Sequence, residues 1–239
     1  MIFHEYINND AIFDAYNHTR MELQMGFYAL TSGQYNWAPS NPYETWSIYG
    51  NNLNNQIVGG SLNDYISGGD GNDSLDGGAG DDMISGDAGS DLIYGGSGSD
   101  NLLGGTGDDT LYGQDGNDTL NGGASGFRDI LAGGNGNDTY THYYNDGGLS
   151  WIVDGSGTSD HLVINDVSSF SNLTFTRFTD SSGNLNDWLG IFTTADTSGS
   201  NGIYIQGFFN GSTYGHGAGE VEYITVGSTT YSLWGYLGL

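Results

Sequence analysis

The chain has 239 residues, 43 of them glycine, with no cysteine, no lysine and three arginines against 29 acids, a formal charge of −26. That balance excludes nucleic acid and anionic membrane surfaces as partners, because both are bound through lysine and arginine; its natural counterpart is a cation. Zero cysteine excludes a disulfide scaffold and a thiolate metal site, and an aromatic content of 13% sets the chain apart from a disordered acidic tail.

The first residues, MIFHEYINNDAIF, have neither the basic segment nor the apolar run of a cleaved leader, so none is expected. No apolar run reaches the roughly 18 residues of a membrane-spanning helix. Residues 1–49 are poor in glycine and rich in asparagine, tyrosine and phenylalanine. Asp10 is placed to cap a helix from Ala11 to Leu30, with Ile12, Ala15, Tyr16, Thr19 and Leu23 at helical spacing and Gly26 weakening the second half. Pro39 and Pro42 break any helix beyond it, and Trp37, Tyr43 and Trp46 follow as an aromatic connector. The segment reads as an end-cap over the next element, as solenoids require. A ligand-binding role for these aromatics is the alternative.

From Gly68 to Asn121 the sequence repeats every nine residues: GGDGNDSLD, GGAGDDMIS, GDAGSDLIY, GGSGSDNLL, GGTGDDTLY, GQDGNDTLN. The pattern is G-G-x-G-x-D-x-U-x with U a large apolar residue, a repeat that builds calcium-binding parallel β-helices. Gly59 to Ser67 keeps the frame with Asp64 and Ile66 but has Leu62 at the fourth position. Gly50 to Val58 has Asn55 in place of aspartate. Downstream, Gly122 to Ala132 carries two extra residues before Asp129, and Gly133 to Thr141 returns to pattern with Asp138 and Tyr140. Outer repeats of a solenoid commonly fray in this way.

Nine residues suit a turn followed by a short strand. Glycines supply backbone conformations closed to other residues over the first six positions, and x-U-x is extended with U inward. Two blocks complete one coil, so blocks two apart stack as parallel neighbours at about 4.8 Å. The stack places Asp73, Asp91 and Asp109 in one column and Asp82, Asp100 and Asp118 in another. Adjacent carboxylates about 5 Å apart repel by roughly 3 kcal/mol at an effective dielectric near 20. A hard cation between them, completed by turn carbonyls, removes that repulsion and fits calcium; magnesium resists full dehydration and zinc prefers histidine or cysteine. Ile66, Leu75, Ile84, Ile93, Leu102, Leu111, Leu120 and Leu131 give the core one inward side chain per block. So thin a core implies that metal binding and folding are one event.

Beyond His142 the glycine period stops. Strand-like runs follow at Trp151 to Val153, Leu162 to Ile164, Leu173 to Phe178, Leu189 to Phe192, Ile203 to Phe209, Val221 to Val226 and Tyr231 to Trp234, separated by turn residues. The region is long enough for a core of its own. The expected architecture is therefore all-β: a short, partly helical N-terminal cap over 1–49, a parallel β-roll over 50–141, and a β-rich C-terminal cap over 142–239.

Residues 50 to 141 resemble the RTX (repeats-in-toxin, haemolysin-type calcium-binding) family through these nonapeptides. The pieces SDHLVIND, NLTFTRFTD, IYIQGFF, VEYITV and TTYSL are similar, in order, to the segment that often follows such repeats. The resemblance implies calcium in the turns, about five to seven ions at two blocks per site. It also implies type I export through an uncleaved C-terminal signal, with which SLWGYLGL is compatible, and a secreted protein that folds on meeting calcium outside the cell.

By the same resemblance, carboxylate ligands fall on Asp64, Asp73, Asp82, Asp91, Asp100, Asp109, Asp118, Asp129 and Asp138. Carbonyl ligands fall on Gly68, Gly69, Asp70 and Gly71; on Gly77, Gly78, Ala79 and Gly80; on Gly86, Asp87, Ala88 and Gly89; and on Gly95, Gly96, Ser97 and Gly98. Further carbonyls come from Gly104, Gly105, Thr106 and Gly107, from Gly113, Gln114, Asp115 and Gly116, and from Gly133, Asn135 and Gly136. Asn55 weakens any ion shared with Asp73, and the insertion after Gly122 is expected to disturb sites touching Asp129.

No enzyme signature accompanies the repeats. His4, His18, His142, His161 and His216 form no H-E-x-x-H, and no serine has glycine at both −2 and +2. Glu220 and Glu222 read as exposed charges beside inward Val221 and Tyr223. Position 3 of the blocks, Asp70, Ala79, Ala88, Ser97, Thr106 and Asp115, lacks the regular row of an ice-binding face. Two readings remain: a non-enzymatic structural or adhesive protein, or the C-terminal secretion and folding module of a larger RTX enzyme or toxin. Trp151, Trp188 and Trp234 add a third, the binding of a surface glycan or protein, which sequence does not separate from core packing.

Overall fold

Period-two alternation with one apolar residue per nine gives each block a single short strand. The computed structural model describes residues 25–31, 36–39, 41–123, 128–144, 148–153, 159–179, 185–196, 201–206 and 221–237, and within them the strands form two ten-stranded sheets, with successive strands alternating between the sheets up to residue 179. The first sheet holds, in spatial order, β1 (Met25–Ala29), β3 (Thr45–Asn51), β5 (Tyr65–Asp70), β7 (Met83–Ala88), β9 (Asn101–Thr106), β11 (Thr119–Gly123), β13 (Thr139–Tyr143), β15 (Asp160–Asn165), β19 (Val221–Val226) and β20 (Thr229–Ser232). The second runs β16 (Leu173–Thr179), β17 (Leu185–Thr193), β18 (Gly202–Ile205), β14 (Leu149–Ile152), β12 (Arg128–Asn135), β10 (Thr110–Asp115), β8 (Leu92–Ser97), β6 (Ser74–Ala79), β4 (Gln56–Gly60) and β2 (Asn36–Trp37). This is an all-β parallel solenoid, as the repeat period requires.

The apolar position of each block stacks on its equivalent one coil away. In one sheet Ile48, Ile66, Ile84, Leu102, Leu120 and Tyr140 are in register; in the other, Ile57, Leu75, Ile93, Leu111 and Leu131. All are at most 1% exposed. The strands are longer than the expected x-U-x, running x-U-x-G-G-x as in β6, Ser-Leu-Asp-Gly-Gly-Ala. The alternation therefore brings the first glycine of each block to the inner face, two residues after U, beside the aspartate of its own turn.

Parallel pairing does not stop with the glycine period. β13 pairs with β15 and β15 with β19, β12 pairs with β14 and β14 with β18, all parallel. Their inward residues extend the same apolar columns, with Leu162 and Ile224 on one side and Ile152 and Ile205 on the other. Among the described residues, antiparallel pairing enters only at β16–β17, β17–β18 and β19–β20. The final run expected as strand divides into β20 and a short helix, α1 (Leu233–Leu237).

At the other end, the helix expected over Ala11 to Leu30 is not borne out where it can be seen. Met25–Ala29 is β1, paired in parallel with β3 along the edge of the first sheet. The remainder of that span lies outside the described residues. Trp37 and Trp46 meet edge to face at 5.2 Å, Trp46 within the buried cluster and Trp37 packed against it. Among the described residues, no helix is long and apolar enough to cross a membrane.

Candidate metal centre

Two hydrogen-bond ladders run along the corners of the solenoid. In the inner one, each repeat aspartate accepts through Oδ1 the backbone N–H of the aspartate one coil before it. Asp73 takes the N–H of Asn55 at 2.7 Å, Asp91 that of Asp73 at 2.7 Å, Asp109 that of Asp91 at 2.8 Å, and Asp129 that of Asp109 at 3.1 Å. On the opposite corner Asp64 takes the N–H of Trp46, Asp82 that of Asp64, Asp100 that of Asp82, Asp118 that of Asp100, and Asp138 that of Asp118, all at 2.7–2.8 Å. The two columns expected from an eighteen-residue coil are thus formed, and these aspartates are 0–4% exposed.

The second oxygen of six of these carboxylates accepts no hydrogen bond, whereas that of Asp64 accepts the Gly60 N–H at 2.6 Å. Oδ2 of Asp73, Asp82, Asp91, Asp100, Asp109 and Asp118 is buried without a hydrogen bond. Buried polar atoms are nearly always partnered, and an exception calls for a cause such as an ion. These exceptions recur at the sixth position of six consecutive blocks, from Asp73 to Asp118. Burial pushes the carboxyls of Asp82, Asp91 and Asp118 up to about 7 and those of Asp73 and Asp109 to about 6. The ladder N–H groups oppose the rise, and neighbouring carboxylates add to it. Asp64 and Asp100 are raised by the same burial.

The first glycine of each block keeps this space open. A Cβ on Gly77 would stand 2.3 Å from Asp82 Oδ2 and 2.6 Å from the carbonyl oxygen of Gly95, one coil on. At Gly86 it would stand 2.3 Å from Asp91 Oδ2 and 2.6 Å from Gly104 O. A carboxylate oxygen and a carbonyl of the next coil therefore converge on one small volume. The second and fourth positions need glycine for a different reason, a left-handed backbone: Gly69 has φ +98° and Gly71 φ +116°. Asp87 and Gln114 stand at second positions with φ 70° and 78°. Ser67 and Ser85 donate to the Asp87 carboxylate.

The carbonyls of third-position residues are partly committed. Those of Ala88, Ser97, Thr106, Asp115 and Asn135 each accept, at 2.8 Å, the N–H of a fourth-position glycine in the preceding coil. Among the described residues no three His, Asp or Glu side chains gather as a conventional metal cluster. A cation here takes a carboxylate from the ladder and completes its shell from carbonyls, an all-oxygen donor set that suits calcium.

Asn55 keeps its ladder position and spends its side-chain oxygen on the N–H of Asn51 at 2.8 Å. Asp129 keeps its place in the ladder despite the insertion and is 2% exposed; residues 124–127 lie outside the described residues.

Sequence reasoning missed the outer ladder. The fifth-position side chains of Asn54, Asn63, Asn72, Asp81, Ser90, Asp108 and Asn117 accept the N–H one coil later, as in Asn72 to Asn54 and Ser90 to Asn72, both at 3.0 Å. The signal was available, since these positions hold only Asn, Asp or Ser, short side chains that bond nearby backbone.

Two acids beyond the repeats were missed as well. Asp160, 0% exposed, takes the N–H of Asp138 at 2.7 Å, and Glu222 takes that of Asp160 at 2.6 Å. Glu222 is thus no free surface charge, and Tyr223, read as inward, is 39% exposed; Val221 is the inward neighbour at 0%. The register slips between Asp160 and His161, which turns Glu222 toward the ladder. Glu220 lies outside the described residues. His142 is enclosed at 5% exposure, with Nδ1 2.9 Å from Ser150 Oγ, and burial lowers it to about 4. His161 Nε2 sits 2.6 Å from Thr225 Oγ1. Trp151 and Trp188 meet edge to face at 5.1 Å.

The fold and its ladders define a parallel β-roll whose turns are built around buried carboxylates in need of a cation. Residues 49–141 are RTX calcium-binding nonapeptide repeats: spans 49–84, 58–93, 68–102, 94–126 and 124–141 each match that family's model. Among solved structures, extracellular lipase LipA from Serratia marcescens aligns with 68% of this chain at 19% identity and a TM-score of 0.27. The match spans 38% of the lipase chain. No curated protein matches the chain.

Proposed function

We propose that this is a secreted, non-enzymatic protein that folds when its repeats take up calcium outside the cell and then serves a structural or adhesive role. The observation that carries the reading is the row of buried Oδ2 atoms from Asp73 to Asp118 that accept no hydrogen bond. In the proposal, Asp64, Asp73, Asp82, Asp91, Asp100, Asp109, Asp118, Asp129 and Asp138 give carboxylates, first- to fourth-position residues give carbonyls, and about five to seven ions fill the corners. Export runs through a type I machine, which needs an unfolded chain; low cytosolic calcium keeps it so.

The test is a calcium titration of the chelated protein followed by far-UV circular dichroism, with bound ions counted by elemental analysis. A β-rich spectrum appearing in millimolar calcium, with several ions bound per chain, supports the reading. An unchanged spectrum overturns it.

A further inference from the structure

The carboxylate ladder does not end where the repeats end. Asp138 passes its N–H to Oδ1 of Asp160 at 2.7 Å, and Asp160 passes its own to Oε2 of Glu222 at 2.6 Å. The chain between donor and acceptor lengthens from 18 or 20 residues within the repeats to 22 and then 62, yet the geometry of the ladder is kept. The sequence carries the trace of this continuity. Gly155-Ser-Gly-Thr-Ser-Asp160-His-Leu162-Val and Gly217-Ala-Gly-Glu-Val-Glu222-Tyr-Ile224-Thr share one pattern, G-x-G-x-x-acid-x-U-x. It is the nonapeptide with the acid one place further from the last glycine. Leu162 and Ile224, its apolar positions, are in register and buried.

The added residue explains the glutamate. Asp160 pairs with Val221 and His161 with Tyr223, so Glu222 is the extra residue of the bulge, set back from its neighbour's backbone. Its longer side chain spans that offset and reaches the buried N–H, which would otherwise lie inside the protein without an acceptor.

We infer that Glu222 is the positioning residue that closes the ladder, and that through it the ordering effect of calcium reaches past the repeats into β15 and β19. The inference rests on the calcium reading above and extends it. The cation at the corners fixes Asp118 and Asp138; Asp138 fixes Asp160; Glu222 fixes the last parallel strand on which β20 and α1 rest. The calcium-dependent unit is then the whole parallel stack.

Hydrogen exchange read by mass spectrometry, on the full chain with and without calcium, tests this in the wild type, Glu222→Ala and Glu222→Gln. In the wild type, calcium should protect residues 160–164 and 221–226 over the same concentration range as residues 65–118. Glu222→Ala should raise the calcium midpoint for protection of the two C-terminal segments at least tenfold while leaving residues 65–118 protected. Glu222→Gln, whose amide oxygen can accept the same N–H, should restore it. Unaltered protection in the alanine variant, or a glutamine variant no better than alanine, overturns the role of Glu222. Protected repeats with C-terminal segments indifferent to calcium overturn the inference alone, whereas repeats indifferent to calcium remove the calcium reading and the inference with it.

Discussion

The backbone N–H of Asp82 is held 2.8 Å from Oδ1 of Asp100, eighteen residues later, and Oδ2 of the same carboxylate is buried with no hydrogen bond. One oxygen ties the coils together, and the other marks where a cation is needed. An uncompensated buried carboxylate is costly, so the arrangement joins the register of the roll to the binding of an ion.

Asp100→Asn keeps an acceptor for the Asp82 N–H and removes the charge. The expected result is a calcium midpoint about tenfold higher, equivalent to about 1.4 kcal/mol, with a native-like spectrum at saturating calcium. Asp100→Ala removes the acceptor as well, leaving the Asp82 N–H unsatisfied at a further cost of about 1–3 kcal/mol. Calcium titrations followed by circular dichroism separate the two.

The raised carboxyls give the metal-free protein an inverted pH dependence. From 3.8 unfolded, Asp82, Asp91 and Asp118 rise to about 7 in the fold, and Asp73 and Asp109 to about 6. The folded state holds more protons between those values. Its stability without calcium is therefore greatest below the unfolded value and is lost as pH rises through 6 and 7. Calcium displaces those protons, so its midpoint should fall as pH rises, with protons released on binding. Chelated protein acidified from neutrality should gain β signal, and calorimetry in buffers of different ionisation heat should count the protons.

Gly77→Ala should fill the space between Asp82 Oδ2 and the Gly95 carbonyl, where the added carbon would meet them at 2.3 and 2.6 Å. The expected outcome is fewer bound ions and a destabilisation of about 2 kcal/mol or more. Gln114→Gly should do the reverse. Its φ of 78° strains a residue with a Cβ, and glycine relieves about 1 kcal/mol of that strain. Urea unfolding in saturating calcium measures both.

Leu111 is 0% exposed and in register with Ile93 and Leu131. Leu111→Ala should cost about 2–5 kcal/mol. Each coil touches only its neighbours, so hydrogen exchange should accelerate most in β8, β10 and β12, around Ile93, Leu111 and Leu131, and less toward the ends of the stack.

The sequence by itself determined the coil length, the inward residues and the aspartate columns. It could do so because the period is short and local: every ninth residue repeats its environment, and the stack follows from adding coils. The need for a cation was legible for the same reason, since like charges recur at the strand spacing.

The division of labour among the glycines was not legible. The letter is the same whether the residue supplies a left-handed backbone, as at Gly71, or leaves room for inward oxygens, as at Gly77. Only the tertiary structure showed that Met25–Ala29 joins the first sheet as a strand, because edge pairing outweighs a weak helical pattern. Only the tertiary structure joined Asp138 to Asp160 and Glu222. Their separations of 22 and 62 residues break the period that sequence reading follows, while in space the ladder continues without a gap.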